Sequence, residues 1–501
     1  MPKNPQSLII SNPQVGVSSS PHLGYHDIRN MDISSIPGIA RLNNAMDLKS
    51  STTVVGTPQW FVRNPETPAE VYALDSGGKV YKSSNSGVTW ALMTGFTAGG
   101  HGNGMVIFKN YLIVARDAYL DICGDGTTTG ITNANWSNSW QVVDSDLLWH
   151  PMIVSKLDGL LYGGAANEVF SLEENTGETF APGTGATFTY TQKTDGDLPS
   201  GYRIKCIDEL GNNIMLGTWK GSTTPTRVAD IFPWTPGSST FGQPITMNEN
   251  GVHALLNINQ TLYILAGTEG RIYSSQGLVA NLIGQIPKSI VDTSGSIPLT
   301  YFPGAITNYK GKLFFGLGSS SAIDGMGTWS LLQTSRGNIL NLEHGISSGN
   351  WGVSAALQIG ALLPMDSDKL LVGWRDDTTY GIDLTNTATF YTSYSGYLIS
   401  AFYNVGTNLE PRQFSQLEFQ LARPLRTSEG IKVEYRTDLT SSFTEIGTYI
   451  YSGTVTATTQ VIGAVLSHND TPNIQASEFI QIKISLTGSG TTSEWRNLTL
   501  K

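Results

Sequence analysis

Residues 310–318, KGKLFFGLG, place a polar turn directly before a short apolar strand, and this pattern decides the fold because it recurs along the chain. The same arrangement appears at five other places: KNYLIVAR at 109–116, LDGLLYGGA at 157–165, GNNIMLGTW at 211–219, NQTLYILAG at 259–267 and SDKLLVGWR at 367–375. A shorter relative, AEVYALDS, lies at 69–76. The copies follow one another about every 50 residues, which predicts one repeating β architecture.

Further short strands flank these repeats, as in GMVIFK at 104–109 before one copy and EVFSLE at 168–173 after another. A strand, a tight polar turn and another strand form an antiparallel meander. A period near 50 residues is typical of one propeller blade, and closing the blades in a ring hides their sheet edges. The sequence therefore predicts an all-β fold with a β-propeller of about seven blades over residues 53–408. A long β-sandwich or a solenoid remains the alternative, because both also use short strands and Gly-rich turns.

Two flanking segments do not share this period. Residues 1–52 contain five closely spaced prolines, which prevent a continuous helix or a central strand: Pro2, Pro5, Pro13, Pro21 and Pro37. We expect an extended N-terminal arm, and its many apolar residues indicate that it lies on its own propeller or on a neighbour. Residues 409–501 alternate apolar and polar side chains, as in GIKVEYR at 430–436, and predict a separate C-terminal β-sandwich.

The amino-acid composition argues against several classes of protein, including nucleic-acid-binding, membrane-inserted and disulfide-rich proteins. The 501 residues include 30 Lys and Arg against 40 Asp and Glu, so the net charge is −10. Such a chain offers no basic surface for tight nucleic-acid binding, and its apolar runs are too short for membrane insertion. Only 14% of the residues are charged and 55 are Gly, which favours short strands and turns over helices. Cys123 and Cys206 are too few for a disulfide scaffold, and we expect two buried free thiols in a chain made in a reducing cytoplasm.

The sharpest local motif is SSNSGVTW at 83–90, which resembles the Asp-box hairpin of sialidases and related propellers, with Asn in place of the Asp. The residues that match its spacing are Ser83, Asn85, Gly87, Thr89 and Trp90. An Asn or Asp side chain bonds the backbone of such a turn, and the Trp packs beneath it. We expect a structural turn and no catalysis, because the arginine cluster and the positioned acids of a sialidase are not evident.

No cofactor or metal ion is expected. Asp121 and Asp125 lie among glycines in a segment that resembles a calcium loop in composition but lacks the alternating ligands and the final Glu of an EF-hand. Trp136, Trp140 and Trp149 form a candidate aromatic surface for sugar stacking or for a subunit contact, with packing inside the blades as the alternative.

The N-terminal stretch GYHDIRNMDISSIPGIARL at 24–42 carries the closest likeness to a known family. It is similar to the opening of many tail structural proteins of tailed bacteriophages, of the nozzle or tail-terminus kind, which are built on a β-propeller. The motif positions are Asp27, Arg29, Asn30, Asp32, Pro37 and Gly38. The C-terminal sequences IKVEYRTD at 431–438 and FIQIKISLTGSGTTSEWRNLTL at 479–500 also resemble the terminal domains of that family.

The resemblance implies a structural, non-enzymatic protein of the virion tail that forms part of the DNA exit conduit. The six motif residues would then belong to an arm that contacts a neighbouring subunit. The implied partners are further copies in a ring-like homo-oligomer, with a hexamer as one candidate size, other phage tail proteins, and DNA that passes without specific binding. The alternative is a host-surface propeller that binds or cleaves glycans. A propeller scaffold for cellular complexes is disfavoured, because the WD dipeptide register is missing.

Overall fold

A computed structural model gives the structure of the chain and describes residues 8–10, 25–35, 39–50, 54–96, 99–124, 131–144, 149–175, 188–193, 197–220, 228–287, 298–334, 337–391, 395–404, 412–414, 417–421, 429–438, 441–450, 474–476, 479–487 and 494–500. All regular elements in these residues are β-strands. No helix in this part of the chain is long and apolar enough to cross a membrane. The prediction of an all-β fold is confirmed.

Five short strands lie in the predicted arm: β1 (Leu8–Ile10), β2 (Tyr25–Arg29), β3 (Met31–Asp32), β4 (Ala40–Leu42) and β5 (Asn44–Leu48). Five four-stranded antiparallel sheets then follow in chain order. The first two are β6 (Pro58–Arg63), β7 (Val71–Asp75), β8 (Val80–Ser83) and β9 (Ala91–Leu92), then β10 (Gly102–Phe108), β11 (Tyr111–Arg116), β12 (Tyr119–Cys123) and β13 (Trp136–Val142). The third is β14 (Met152–Val154), β15 (Leu161–Ala165), β16 (Glu168–Glu174) and β17 (Phe188–Lys193). The fourth and fifth are β18 (Tyr202–Leu210), β19 (Asn213–Lys220), β20 (Ala229–Trp234) and β21 (Ile245–Met247), then β22 (Val252–Ile258), β23 (Thr261–Ala266), β24 (Arg271–Ser275) and β25 (Ala280–Gln285).

The next strands are β26 (Leu299–Thr300), β27 (Ile306–Tyr309), β28 (Lys312–Ser319), β29 (Gly327–Thr334) and β30 (Gly337–His344). A sixth four-stranded sheet contains β31 (Leu357–Pro364), β32 (Leu370–Asp376) and β33 (Thr379–Phe390). Its fourth strand is β5 from the arm, with Met46 opposite Thr385 and Leu48 opposite Asp383. The arm therefore supplies the outer strand of a propeller sheet.

The first strand of each sheet contacts the first strand of the next one. These contacts join β6 to β10, then β14, β18 and β22, continue through β27 to β31, and return from β31 to β6. The sheets thus close into a ring, and the chain is a β-propeller with six four-stranded blades in its described part. Because the ring closes, a solenoid or an open sandwich does not describe these strands.

The turns and packing follow from the repeated sequence. Lys310 and Gly311 both have positive φ, 52° and 72°, as a two-residue hairpin turn requires. Glycine in the second strand lets neighbouring sheets approach closely: a Cβ on Gly316 would lie 2.5 Å from Ile359. The expected buried thiols are also confirmed, since Cys123 and Cys206 are both buried and neither forms a disulfide in the described part of the chain.

The remaining strands are β34 (Gly396–Ser400), β35 (Tyr403–Asn404), β36 (Arg412–Phe414), β37 (Leu417–Leu421), β38 (Gly430–Arg436), β39 (Thr444–Ile450), β40 (Ile474–Ala476), β41 (Phe479–Thr487) and β42 (Glu494–Leu500). An eleven-stranded sheet runs from β26 through β28, β29 and β30 to β2, and then through β34, β41 and β38 to β39. The arm strand β2 lies between β30, which it meets in parallel, and β34, which is antiparallel to it. Strand β42 pairs with β37 and with the arm strands β1 and β4.

These pairings cross the predicted boundaries at residues 52 and 408. Strand β5 belongs to a propeller sheet, and β38 and β41 extend the sheet that contains β30. The N-terminal arm and the C-terminal strands are therefore joined to the propeller by backbone hydrogen bonds.

Candidate functional site

The arm motif forms a buried polar site where β2, β30 and β34 meet. Asp27, Arg29, Asn30 and Asp32 are each no more than 6% exposed. Alternation along β2 places Asp27 and Arg29 on one face, away from the apolar core side of Ile28. The motif thus combines an apolar contact with a set of charged side chains that need partners.

Arg29 makes the most extensive contacts of this site. Its Nη1 and Nη2 atoms donate to the two carboxylate oxygens of Asp324 at 2.6 and 2.7 Å, and its Nε atom donates to Asp27 at 2.8 Å. The guanidinium also lies over the rings of Trp351 and Tyr397, at 5.4 and 5.6 Å from their centroids. A planar cation with five donors suits this combination of a bidentate carboxylate and aromatic faces. Arg29 thereby fixes the arm to the loop before β29 and to β34.

Electrostatics keep this cation charged. Burial disfavours the guanidinium, but the charges of Asp27 and Asp324 outweigh that cost and raise the pKa of Arg29 above its ordinary value. Burial likewise raises the pKa of the neighbouring Tyr397 phenol, which stays protonated and donates to Asp27 at 3.2 Å.

A second cluster holds the next part of the arm. Lys312 on β28 donates to Glu343 at 2.9 Å and to Asp32 at 3.4 Å, and Arg41 on β4 bonds the other oxygen of Asp32 at 2.9 Å. Asn43 donates to the second oxygen of Glu343 at 2.7 Å. The five polar side chains satisfy one another across three segments of the chain.

The charges of this cluster are coupled. Burial alone would raise the pKa of Asp32, but Lys312, Ser35 and Arg41 hold it well below its usual range. Burial also acts against the Glu343 carboxylate, and Lys312 more than offsets it, so that pKa is lowered as well. Both carboxylates therefore remain ionised, and removing Lys312 would leave two buried negative charges together.

Asn30 turns the chain between these two clusters. Its φ of 54° lies in the left-handed region, which Asn tolerates better than most residues. Its backbone N–H donates to Leu342 at 3.2 Å, and its side-chain amide donates to Ser395 at 3.1 Å. Asn30 thus connects the end of β2 to β30 and to the residue before β34.

The structure brings four of the six motif residues together, and Pro37 and Gly38 lie outside the described residues. The four described residues contact their own chain rather than forming an exposed patch. A contact of these side chains with a neighbouring subunit would require exchange of the arm between copies. Sequence reasoning missed Lys312, Asp324 and Glu343, because no local pattern separates a buried charge in a strand or loop from a solvated one.

The Asp-box-like residues form one hydrogen-bonded turn. The Thr89 N–H donates to Asn85 Oδ1 at 2.9 Å, the Gly87 N–H donates to Ser83 at 2.9 Å, and the Trp90 indole donates to Gly87 at 3.0 Å. Gly87 has a φ of 84°, and Trp90 is buried. This geometry is that of a structural hairpin.

The three tryptophans do not form one aromatic surface. Trp136 is buried against Phe96, with the ring centroids 4.6 Å apart, because it begins an outer strand and points into the blade. Trp140 packs near Phe188, and Trp149 belongs to a different apolar cluster. The predicted shared platform is therefore wrong.

Asp121 of the candidate calcium loop forms an ion pair with Arg116 at 3.2 Å, and Asp125 lies outside the described residues. Within the described ranges, no group of three or more His, Cys, Asp or Glu side chains is arranged to hold a metal ion.

Comparison with known proteins identifies no family for this chain. No family model matches the chain, and no curated protein matches it. Among solved structures, the chain is similar to the β-propeller domain of Cps50 (Swd1) from Myceliophteria thermophila, at 9% identity over 68% of this chain and all of that one, with a TM-score of 0.41. YCF48 bound to a D1 peptide matches at 10% identity over 73% of this chain and all of that one, with a TM-score of 0.43. A luciferin-regenerating enzyme matches at 9% identity over 70% and 97%, with a TM-score of 0.39. The class of this protein, a β-propeller, therefore rests on its own sheet topology.

Proposed function

We propose that this chain is a structural protein of a tailed-bacteriophage virion tail, of the nozzle or tail-terminus kind, and that its copies assemble into a ring around the DNA exit path. The observation that supports this most is the arm site. The motif that resembles the phage family, at residues 24–42, is the segment whose polar side chains bind Asp324, Lys312 and Ser395 and so hold the arm against the neighbouring strands.

We also propose that the chain has a seventh blade and a C-terminal sandwich. Strands β27 to β30 follow one another as antiparallel neighbours, and β27 contacts both β22 and β31. We count them as a seventh blade that merges at its outer edge with β2. The C-terminal strands from β36 to β42 then constitute the sandwich, which is joined to the propeller through β41.

Arm exchange provides the contact between copies. Strand β2 lies between two strands from distant parts of the chain, and its contacts reach Asp324, Tyr397 and the β34 backbone as far as Ser400. A neighbour's arm in the same place would reproduce these contacts without a new surface. The exchanged segment would then bring the buried Arg29 site to every subunit boundary.

The charge distribution is compatible with a passage for DNA. The net charge is −10, and Arg29, Arg41 and Lys312 are all held by carboxylates of the arm site. These cations are therefore not available to hold phosphate groups. DNA would pass such a ring without being retained.

Light scattering of the purified protein, with negative-stain images of each species, tests this function. We expect a closed ring, either alone or after addition of other tail components. A monomer that ignores tail components and binds saccharides on a glycan array would contradict the proposal and favour the glycan-binding alternative.

A further inference from the structure

A cavity of about 610 Å³ lies between two neighbouring blades, at the end of the propeller where their first strands finish. Three turns form it: the turn between β18 and β19, the turn between β22 and β23, and the turn between β24 and β25. The Gly211 N–H donates to Gln260 Oε1 at 3.3 Å and so joins the first two turns. The volume lies in the range of small-molecule sites, which makes this cavity a candidate binding site.

Part of the cavity lining is apolar. Leu210, Met215 and Pro233 line it and are all buried. Leu278 also lines it and is 84% exposed, more than any other large hydrophobic side chain of the described residues. An apolar side chain this exposed, beside buried apolar neighbours, provides a surface on which the C–H groups of a ligand can pack.

Carboxamide side chains supply the polar part of the lining: Asn213, Asn259, Gln260 and Gln276. Thr235 Oγ1 donates to Asn213 Oδ1 at 2.7 Å, and the Gly211 N–H donates to Gln260 Oε1, so the chain itself fixes the oxygens of these two amides. Their NH₂ groups make no hydrogen bond within the described part of the chain, and neither do the side chains of Asn259 and Gln276. The cavity therefore offers both donors and acceptors to a ligand.

The backbone at Gln260 has a conformation that other residues adopt more easily. Its φ of 63° is left-handed, and Gln260 is the second residue of the turn between β22 and β23. The same turn position holds Asn110 in the second blade, with a φ of 69°, and Gly311 between β27 and β28, with a φ of 72°. Asn and Gly tolerate this region better than Gln does. Strained residues of this kind cluster at ligand sites, where the side chain has a role that offsets the strain.

The lining also indicates the class of ligand. No charged side chain is among the described residues that line the cavity, so a charged ligand would lose its hydration without gaining a counter-charge. Extended peptides are usually held by an unpaired sheet edge or by a groove of aromatic rings, and the described lining contains neither an outer strand nor an aromatic ring. A neutral sugar has hydroxyl groups that both donate and accept, and C–H faces that pack on apolar side chains. This combination matches the carboxamides and the apolar residues.

We propose that the cavity between the turns of β18–β19, β22–β23 and β24–β25 binds an uncharged saccharide. Asn213 and Gln260 supply donors whose positions are already fixed, Asn259 and Gln276 supply further donors and acceptors, and Leu278 covers a C–H face of the sugar. Saccharide binding here goes beyond the proposed virion role and does not rest on it. Light scattering tests the ring of copies, whereas saccharide binding tests the cavity.

An array that carries neutral glycans, sialylated and sulfated glycans, and uncharged peptides is the first measurement on the purified protein. We expect binding of neutral glycans alone, and titration calorimetry then gives the affinity for the neutral glycan that binds best. Gln260→Gly removes the carboxamide and places glycine at a positive φ, so the turn is kept, and it should weaken this affinity about fivefold or more. Asn110→Gly is the matched control, because Asn110 has the same turn position in another blade and also bonds a neighbouring turn, at Glu66, at 2.8 Å. The control should bind like the wild type.

A crystal of the wild type soaked in the same neutral glycan gives a second readout that does not depend on the folding of a variant. Density for the sugar in contact with Gln260 and Leu278 is expected. Three results would each overturn the proposal: an array on which acidic glycans or uncharged peptides bind and neutral glycans do not, equal affinities of the wild type and Gln260→Gly, or a sugar bound elsewhere in the crystal.

Discussion

At the scale of single residues, Arg29 connects the arm to the rest of the molecule. Its guanidinium bonds Asp27 beside it and Asp324 almost 300 residues away, between two aromatic rings. The sequence motif indicated that this arginine matters, but its partner could not be predicted. Asp324 lies in a polar turn, SAIDGMG at 321–327, that resembles any other surface turn.

Replacing Arg29 by Met should destabilise the protein by about 3–5 kcal/mol, because Asp27 would remain buried without its cation. Urea unfolding measures the loss. Arg375→Met is the matched control, since Arg375 is half-buried and donates to a backbone carbonyl, and we expect a change of about 1 kcal/mol or less. Equal effects at the two positions would contradict the role assigned to Arg29.

Asp383 should give the propeller a distinct pH dependence. Burial raises the pKa of this carboxyl to about 6, although Ser347 donates two hydrogen bonds of 2.7 Å to it. The folded state then binds the proton more tightly than the unfolded state, so the wild type loses stability as the pH rises from about 4 through 6.

Asp383→Asn removes that titration. The free energy of unfolding of the wild type minus that of Asp383→Asn should fall by roughly 2–3 kcal/mol between pH 4 and pH 7.5. Chemical denaturation at several pH values measures this difference. A difference that stays constant with pH would rule out the raised pKa.

At the scale of elements, the repeat predicted the second strand of each unit. Residues Val71, Leu112, Ile214, Leu262, Leu313 and Leu370 all lie in second strands, and Leu160 directly precedes one. The alternation of apolar residues with turns is a local signal, so these strands could be located without a structure. The pairings of β2 and β5 with residues more than 300 positions away could not, because short strands in a Pro-rich segment carry no information about their partners.

The hairpin at residues 83–90 allows the contribution of a single turn to the stability of the protein to be measured. Asn85→Ala removes the acceptor of the Thr89 N–H and should cost about 1–2 kcal/mol. Asn85→Asp keeps that oxygen and restores the residue of the motif it resembles, so it should cost less than half as much. Thermal unfolding of both variants gives the comparison, and an Asp variant as unstable as the Ala variant would argue against the hydrogen bond.

At the scale of the whole molecule, the propeller ring closes through its first strands while the two ends of the chain join at its edge. The ring could be predicted from the 50-residue period. The pairing of the N-terminal arm with the C-terminal strands could not be predicted, because the sequence of each segment gives no sign of the other. The proposed assembly depends on which copy supplies the arm.

A cysteine pair across β2 and β34 tests most directly whether the arm is exchanged between copies. Ile28 and Leu398 face each other in this pairing, whereas the natural Cys123 and Cys206 are buried elsewhere. The double variant Ile28→Cys, Leu398→Cys should give covalent oligomers on non-reducing denaturing gels, and a mixed assembly of the two single variants should give covalent dimers. A double variant that runs only as a monomer with an internal disulfide would contradict arm exchange.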